Sequence, residues 1–166
     1  MANTDKFDRL KHDVISHGGF FVHFHFDMHS TQKEALQEIM VGFISKLTKE
    51  NGVKMCVGEV EEAQEYDGDY STTARVSMLI EDFATLVRLT LAYTPIVVEV
   101  EEPLDAKIDA GELQNALMGI SATNQELTQH ILKNGMSEEN RKKFEEQMAR
   151  KAALGKKIKK MSEEEK

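Results

Sequence analysis

The clearest pattern in the chain is Phe20 to Met28, FFVHFHFDM. Phe20, Val22, Phe24, Phe26 and Met28 alternate with Phe21, His23, His25 and Asp27. A period of two predicts a strand with one apolar face. Before it, Phe7, Leu10, Val14 and Ile15 recur near helical spacing, and Gly18-Gly19 supplies a stop, since glycine reaches the backbone angles that end a helix. After it, Thr31-Gln-Lys-Glu34 reads as a capping box opening a helix to about Glu50. Its apolar face is Leu36, Ile39, Met40, Phe43, Ile44 and Leu47.

Val53 to Glu62 reads as a second strand, with Gly58 marking a bulge or weak point. Glu65 to Asp69 is turn chemistry centred on Asp67-Gly68. Thr72 to Ile80 is a third strand, with Ala74, Val76, Met78 and Ile80 opposite Thr73, Arg75 and Ser77. Asp82 caps a helix to about Tyr93, ended by Pro95. Ile96 to Glu101 is a fourth strand, with Ile96, Val98 and Val100 opposite Val97, Glu99 and Glu101. Asp109 opens a further helix carrying Leu113, Leu117, Ile120, Leu127 and Ile131, weakened near Ser121–Asn124 and stopped by Asn134-Gly135. A last helix follows Ser137, carries Phe144, Met148, Leu154 and Ile158, and frays from about Lys160.

Strand, helix, strand, strand, helix, strand over Phe20 to Glu102 resembles the ferredoxin-like split βαβ fold, βαββαβ, which ACT-type regulatory modules also use. The resemblance covers about half the chain. It implies an α+β fold with an antiparallel sheet in the order 4-1-3-2 and both helices on one face. The expected organisation is a ferredoxin-like domain over 1–103 with an N-terminal helix, a helical extension over 104–160 and a disordered tail over 161–166. The apolar faces of strands one, three and four then lie under the helices. The opposite sheet face carries Phe21, His23, His25, Asp27, Thr73, Arg75, Ser77, Val97, Glu99 and Glu101. That face is solvated, covered by the terminal helices, or used by a partner or ligand through Phe21, Asp27, Arg75 and Ser77.

Composition narrows the classes. The 166 residues hold one Cys, two Pro and no Trp, so no internal disulfide framework exists. No apolar run approaches the ~20 residues of a membrane helix, and Met1 to Lys6 has no secretory character. These features point to the cytoplasm. The net charge of −8 is uneven. Ser137 to Lys166 holds ten Lys and Arg against seven Glu, a balance of +3, which leaves eleven basic and twenty-two acidic residues, a balance of −11, on 1–136.

Five of the six histidines lie between His12 and His29. His23 and His25 share a strand face. With His29, and with Glu99 or Glu101 from the adjacent strand, they form a mixed N/O set that would hold a divalent metal such as zinc. The competing expectation is a polar face of His–carboxylate hydrogen bonds within a dimer contact. Protonation of His23 and His25 against Glu99 and Glu101 would then tighten the cross-strand contacts as pH falls. Cys56, between Met55 and Val57, reads as an inert small core residue. No G-x-S-x-G elbow or phosphate-binding glycine fingerprint occurs. The acidic hairpin (Glu59, Glu61, Glu62, Glu65, Asp67, Asp69) lacks the distal Glu of a calcium loop.

The basic tail places Arg150, Lys151, Lys156, Lys157, Lys159 and Lys160 within eleven residues without an acid. Such a run is a solvated helix face, a contact to nucleic-acid phosphates, or a contact to the acidic body of a partner subunit. It lacks the aromatic anchors of a membrane-surface helix. The expected protein is a small, non-catalytic, oligomeric binding or regulatory module, with a homodimer as the favoured assembly. A metal-binding protein and a nucleic-acid-associated adaptor are the alternatives.

Overall fold

A computed structural model describes residues 2–66, 68–135 and 137–164. The elements run α1 (Ala2–Ser16), β1 (Phe20–Ser30), α2 (Lys33–Leu47), β2 (Val53–Val60), β3 (Gln64–Tyr66), β4 (Asp69–Ile80), α3 (Phe83–Tyr93), β5 (Val97–Glu102), α4 (Ala110–Gly135) and α5 (Glu138–Glu164). The fold is α+β, with one antiparallel five-stranded sheet. Its order is β2-β4-β1-β5, and the short β3 pairs with β4 beyond β2. The chain divides into two compact units, 1–121 and 122–166. The first holds the whole sheet, α1 to α3 and the first part of α4. The second holds the rest of α4 and α5.

The alternation of β1 sets the core. Phe20, Val22, Phe24 and Phe26 point to one face and are buried, beside Ala74, Val76, Met78 and Ile80 of β4. Met40, Ile44 and Leu47 of α2 and Leu86 and Leu89 of α3 close over them. Each fully buried side chain of this kind contributes ~1.5–3 kcal/mol. The aromatic packing is edge-on: Phe43 meets Phe26 at 4.8 Å and Tyr93 at 5.4 Å between ring centroids. Ile39, expected on this face of α2, points outward and is exposed. Leu36, Met40, Ile44 and Leu47 already occupy the stripe that meets the sheet.

A second core lies on the other side of the sheet. Val14, Phe21 and Leu79 are buried there, with Phe7, Leu10, Ile15 and Met55 packed around them. Helix α1 therefore covers one end of the face that the element order leaves open. Gly18 and Gly19 make this placement possible. Gly18 has φ +91°. A Cβ on Gly19 would lie 2.5 Å from the Ile80 carbonyl oxygen and closer still to Val14 Cγ1, so only glycine lets the turn run against β4.

Local signals resolve differently. Asp82 caps α3, its side chain accepting from the Thr85 N–H at 2.6 Å. α3 ends with Thr94 at φ 45°. Asp109 caps α4, accepting from the Glu112 N–H at 2.8 Å. The Glu112 carboxylate does not return to its own cap but accepts from the Phe83 N–H at 2.7 Å, joining the starts of α3 and α4. The capping box at Thr31 does not form: Gln32 is the N-cap of α2 and makes no side-chain cap bond. β1 stays extended through Ser30, which shifts the helix start by one residue. Gly58 is not a bulge. It pairs with Val76 and sits under Ile44, where a Cβ would come within 2.8 Å. The register shift of β2 lies between Val53 and Met55 instead. α4 runs unbroken through Ser121–Asn124, because Ser, Thr and Asn each cost a helix only about 0.5 kcal/mol and no Gly or Pro intervenes there. α5 is helical past Lys160, as far as Glu164. Glu165 and Lys166 lie outside the described residues.

Candidate functional site

The polar face of β1 and its neighbours forms a ladder of histidine–carboxylate pairs. β1 pairs with β4 on one side and β5 on the other, so His23 stands between Ser77 and Glu99 and His25 between Arg75 and Val97. His23 is buried, 4 % exposed. Its Nδ1 shares a hydrogen bond with Ser77 Oγ at 2.9 Å, and its Nε2 makes a short hydrogen bond to Glu101 Oε2. Each histidine takes the glutamate two residues past its register neighbour: His23 stands opposite Glu99 and bonds Glu101, and His25 stands opposite Val97 and bonds Glu99. His25, nearer the rim, meets Glu99 Oε2 at 3.3 Å. At the end of the strand His29 Nε2 meets Asp27 Oδ2 at 2.8 Å, and Ser71 donates to Asp27 Oδ1 at 3.0 Å.

These pairs bear directly on the metal set His23, His25, His29, Glu99 and Glu101. All five reach one side of the sheet, but they are divided two by two. His23 has both ring nitrogens engaged, and His29 pairs with Asp27 rather than with His25. Among the described residues, no group of three His, Cys, Asp or Glu side chains is placed to hold a metal ion. The geometry matches a face of His–carboxylate hydrogen bonds.

The other proposed contacts separate in the same way. Phe21 lies under α1, edge-on to His23 at 5.0 Å and to Phe7 at 5.7 Å. Lys11 of α1 crosses this end, binding Glu102 Oε1 at 2.7 Å with its ammonium over the Phe7 and Phe21 rings. The Glu102 hydrogen bond raises the Lys11 pKa. Sequence reasoning missed Lys11 and Glu102, although Lys11 sits among the apolar positions of α1 that signal a packed face. Arg75 is exposed and lines, with His25, Glu59, Glu61 and Thr73, a hollow of about 260 Å³. A neighbouring hollow of about 280 Å³ is lined by His29, Glu61, Glu62, Glu65 and Ser71. Asp67 lies outside the described residues. In the tail, Arg150 and Lys151 are exposed on α5. The side chains of Lys156, Lys157, Lys159 and Lys160 lie outside the described residues.

The apolar row of β5 corrects a second expectation. Val98 and Val100 pair with Phe24 and Val22 and so point to the helix side of the sheet. They are nevertheless exposed, 37 % and 45 %, and Ile96 is 65 % exposed. α2 packs over β1, β2 and β4, and α3 over β4, so the helical layer stops short of the edge strand. α4 shows a parallel departure: Leu113, Leu117, Ile120, Leu127 and Ile131 are all exposed.

Cys56 behaves as a structural thiol. It packs against the helix-side core, and burial pushes its pKa up to about 11, which suppresses the thiolate that nucleophilic chemistry needs. Across the same core, burial and a 2.5 Å hydrogen bond to Glu50 push Tyr93 up to about 12. Glu50, held also by Arg88 at 2.7 Å, is lowered by these two partners. This cluster ties α3 to the α2–β2 turn.

Comparison with curated proteins and with solved structures finds no match. A family model does match, over residues 21–165, a span that takes in the sheet, both His-bearing and Glu-bearing strands and the two C-terminal helices; on that span the chain belongs to the MJ0538 family.

Proposed function

We propose that this chain is a small cytoplasmic binding or regulatory module of ferredoxin-like topology that assembles with itself and does not catalyse a reaction. The observation that carries the reading is the distribution of exposed apolar side chains. Among the described residues, sixteen large hydrophobics are exposed, and nine of them lie on β5 and α4. Scattered exposed hydrophobics need no account, but rows of them on one strand and one helix mark a surface that is covered by something. The strand is an edge, where unpaired backbone groups add a second reason for cover.

The His–Glu ladder supports a binding role over a chemical one. His23 has a partner on each ring nitrogen and is closed off by Phe21 and α1, so it has no free lone pair to offer a substrate. No described helix is long and apolar enough to cross a membrane. The test is sedimentation of the intact chain across a concentration series. A concentration-dependent mass above the 18.8 kDa of one chain is expected. A constant monomer mass at concentrations far above micromolar would overturn the reading.

A further inference from the structure

The exposed apolar residues of α4 have a spacing of their own. From Leu113 the steps are four to Leu117, three to Ile120, four to Asn124, three to Leu127 and four to Ile131. This is an unbroken 4-3 repeat over nearly three heptads, with Leu117, Asn124 and Ile131 at a and Leu113, Ile120 and Leu127 at d. It lies on one continuous helix. The five apolar members are 41–61 % exposed, and Asn124 is exposed as well. A strict a/d stripe is the narrow seam by which one helix packs against another of the same kind. We infer that α4 is a dimerisation helix, and that two copies of this chain pair α4 to α4 in parallel and in register, with Asn124 facing its own counterpart. This rests on the reading of the protein as a self-assembling module and names the surface and the partner.

Charge favours a second copy. The e and g positions beside the seam carry Gln, Ala, Ser, Thr, Thr and His, with no Asp, Glu, Lys or Arg. A chain whose first 136 residues have a net charge of −11 therefore presents to itself one helix face free of acidic residues, where two copies meet without like-charge repulsion. A fully buried Leu or Ile removes about 100 Å² of apolar surface. Half of that for each of five residues is about 250 Å² per copy, and at ~60 % apolar content the pair would cover roughly 800–1,000 Å² in total. That is the size of a weak, concentration-dependent interface, below the ~1,200 Å² of a standard one. Orientation follows from Asn124. In a parallel pair the two asparagines hydrogen-bond across the seam, and a single a-position Asn sets register and two-strandedness in this way. In an antiparallel pair centred on the stripe each Asn124 would face Ile120, which leaves a buried amide without a partner.

The test uses full-length chains with Leu117→Glu and Ile131→Glu together, and separately Leu117→Lys and Ile131→Lys, followed by sedimentation. Each variant alone should lose dimerisation, with Kd raised at least ~100-fold. An equimolar mixture should recover a heterodimer, because Glu faces Lys at both positions only in a parallel, in-register pair. Recovery also demonstrates that each variant is folded. A dimer unaffected by either variant overturns the seam and leaves self-assembly standing through another surface. Dissociation without recovery in the mixture overturns the parallel arrangement. A monomeric intact chain overturns both this inference and the reading it rests on.

Discussion

β1 and β5 are adjacent strands with the same two-residue alternation, yet they end in opposite environments. From Phe20 to Phe26, β1 is closed on the helix side by α2 and α3, and on the other side partly by α1. β5 is exposed on both faces, valines included. Alternation says only that a strand has an apolar side. Whether that side is covered depends on the strand's place in the sheet and on how far the helices reach.

The largest test of this contrast is matched truncation. Phe24→Ala removes a fully buried ring at the centre of β1 and should cost ~3–5 kcal/mol. Val98→Ala, directly opposite on β5, should cost below ~1 kcal/mol. Urea unfolding of both variants measures the difference. Equal losses would show that β5 is covered in solution and would break the contrast.

A smaller contrast runs along one face of β1. His23→Ala removes a buried ring and leaves the half-buried Ser77 without its partner, while the exposed Glu101 turns to water; it should cost ~1–3 kcal/mol. His25→Ala, at the rim, should cost below ~1 kcal/mol. If thermal melts give the two variants the same loss, α1 does not seal the His23 end.

The opposite edge strand sharpens the comparison, because α2 covers β2. Cys56 has a folded pKa of about 11 against an ordinary 9.0. The fold therefore favours the protonated thiol: that stability is whole below pH 9 and is lost as pH rises toward 11. Tyr93 adds a similar loss between pH 10.0 and about 12. Cys56→Ala should flatten the decline from pH 9 in a denaturation series and leave the Tyr93 part. An unchanged slope would place the thiol in solvent. The smallest effect is expected for Lys11→Met. It breaks the partly exposed ion pair to Glu102 and should cost under ~1 kcal/mol in the same assay.

How legible these regions were follows from what each signal encodes. The faces of β1 and β4 were readable because alternation and burial coincide there. The Asp82 cap was readable because an N-cap is a local device. The pairing of histidines with Glu99 and Glu101 was visible as a shared face, but which glutamate takes which histidine depends on the strand register and on a two-residue diagonal reach, and no residue type announces either. Gly58 was misread because a glycine that admits a neighbour's side chain looks, in sequence, like one that bends a strand. The exposure of Ile96, Val98 and Val100 was out of reach, since it depends on where α2 and α3 stop. The stripe on α4 was plain as a set of apolar residues. Its continuity was hidden by a polar stretch, Ser121 to Asn124, that resembles a helix break and is helix instead.

The position of β1 between β4 and β5 also has a consequence in time. It is the first strand of the sheet to be synthesised, and Phe24 pairs on one side with Val76 and on the other with Val98, 74 residues later. At ~5–20 residues per second of translation, the edge that receives β5 stays open for about 4–15 s after β1 is made. Through that interval the run FFVHFHF is a hydrophobic strand without its second neighbour, the kind of segment that seeks other chains. The same central place that makes β1 the best-protected strand of the finished protein makes it the most hazardous one in the nascent chain.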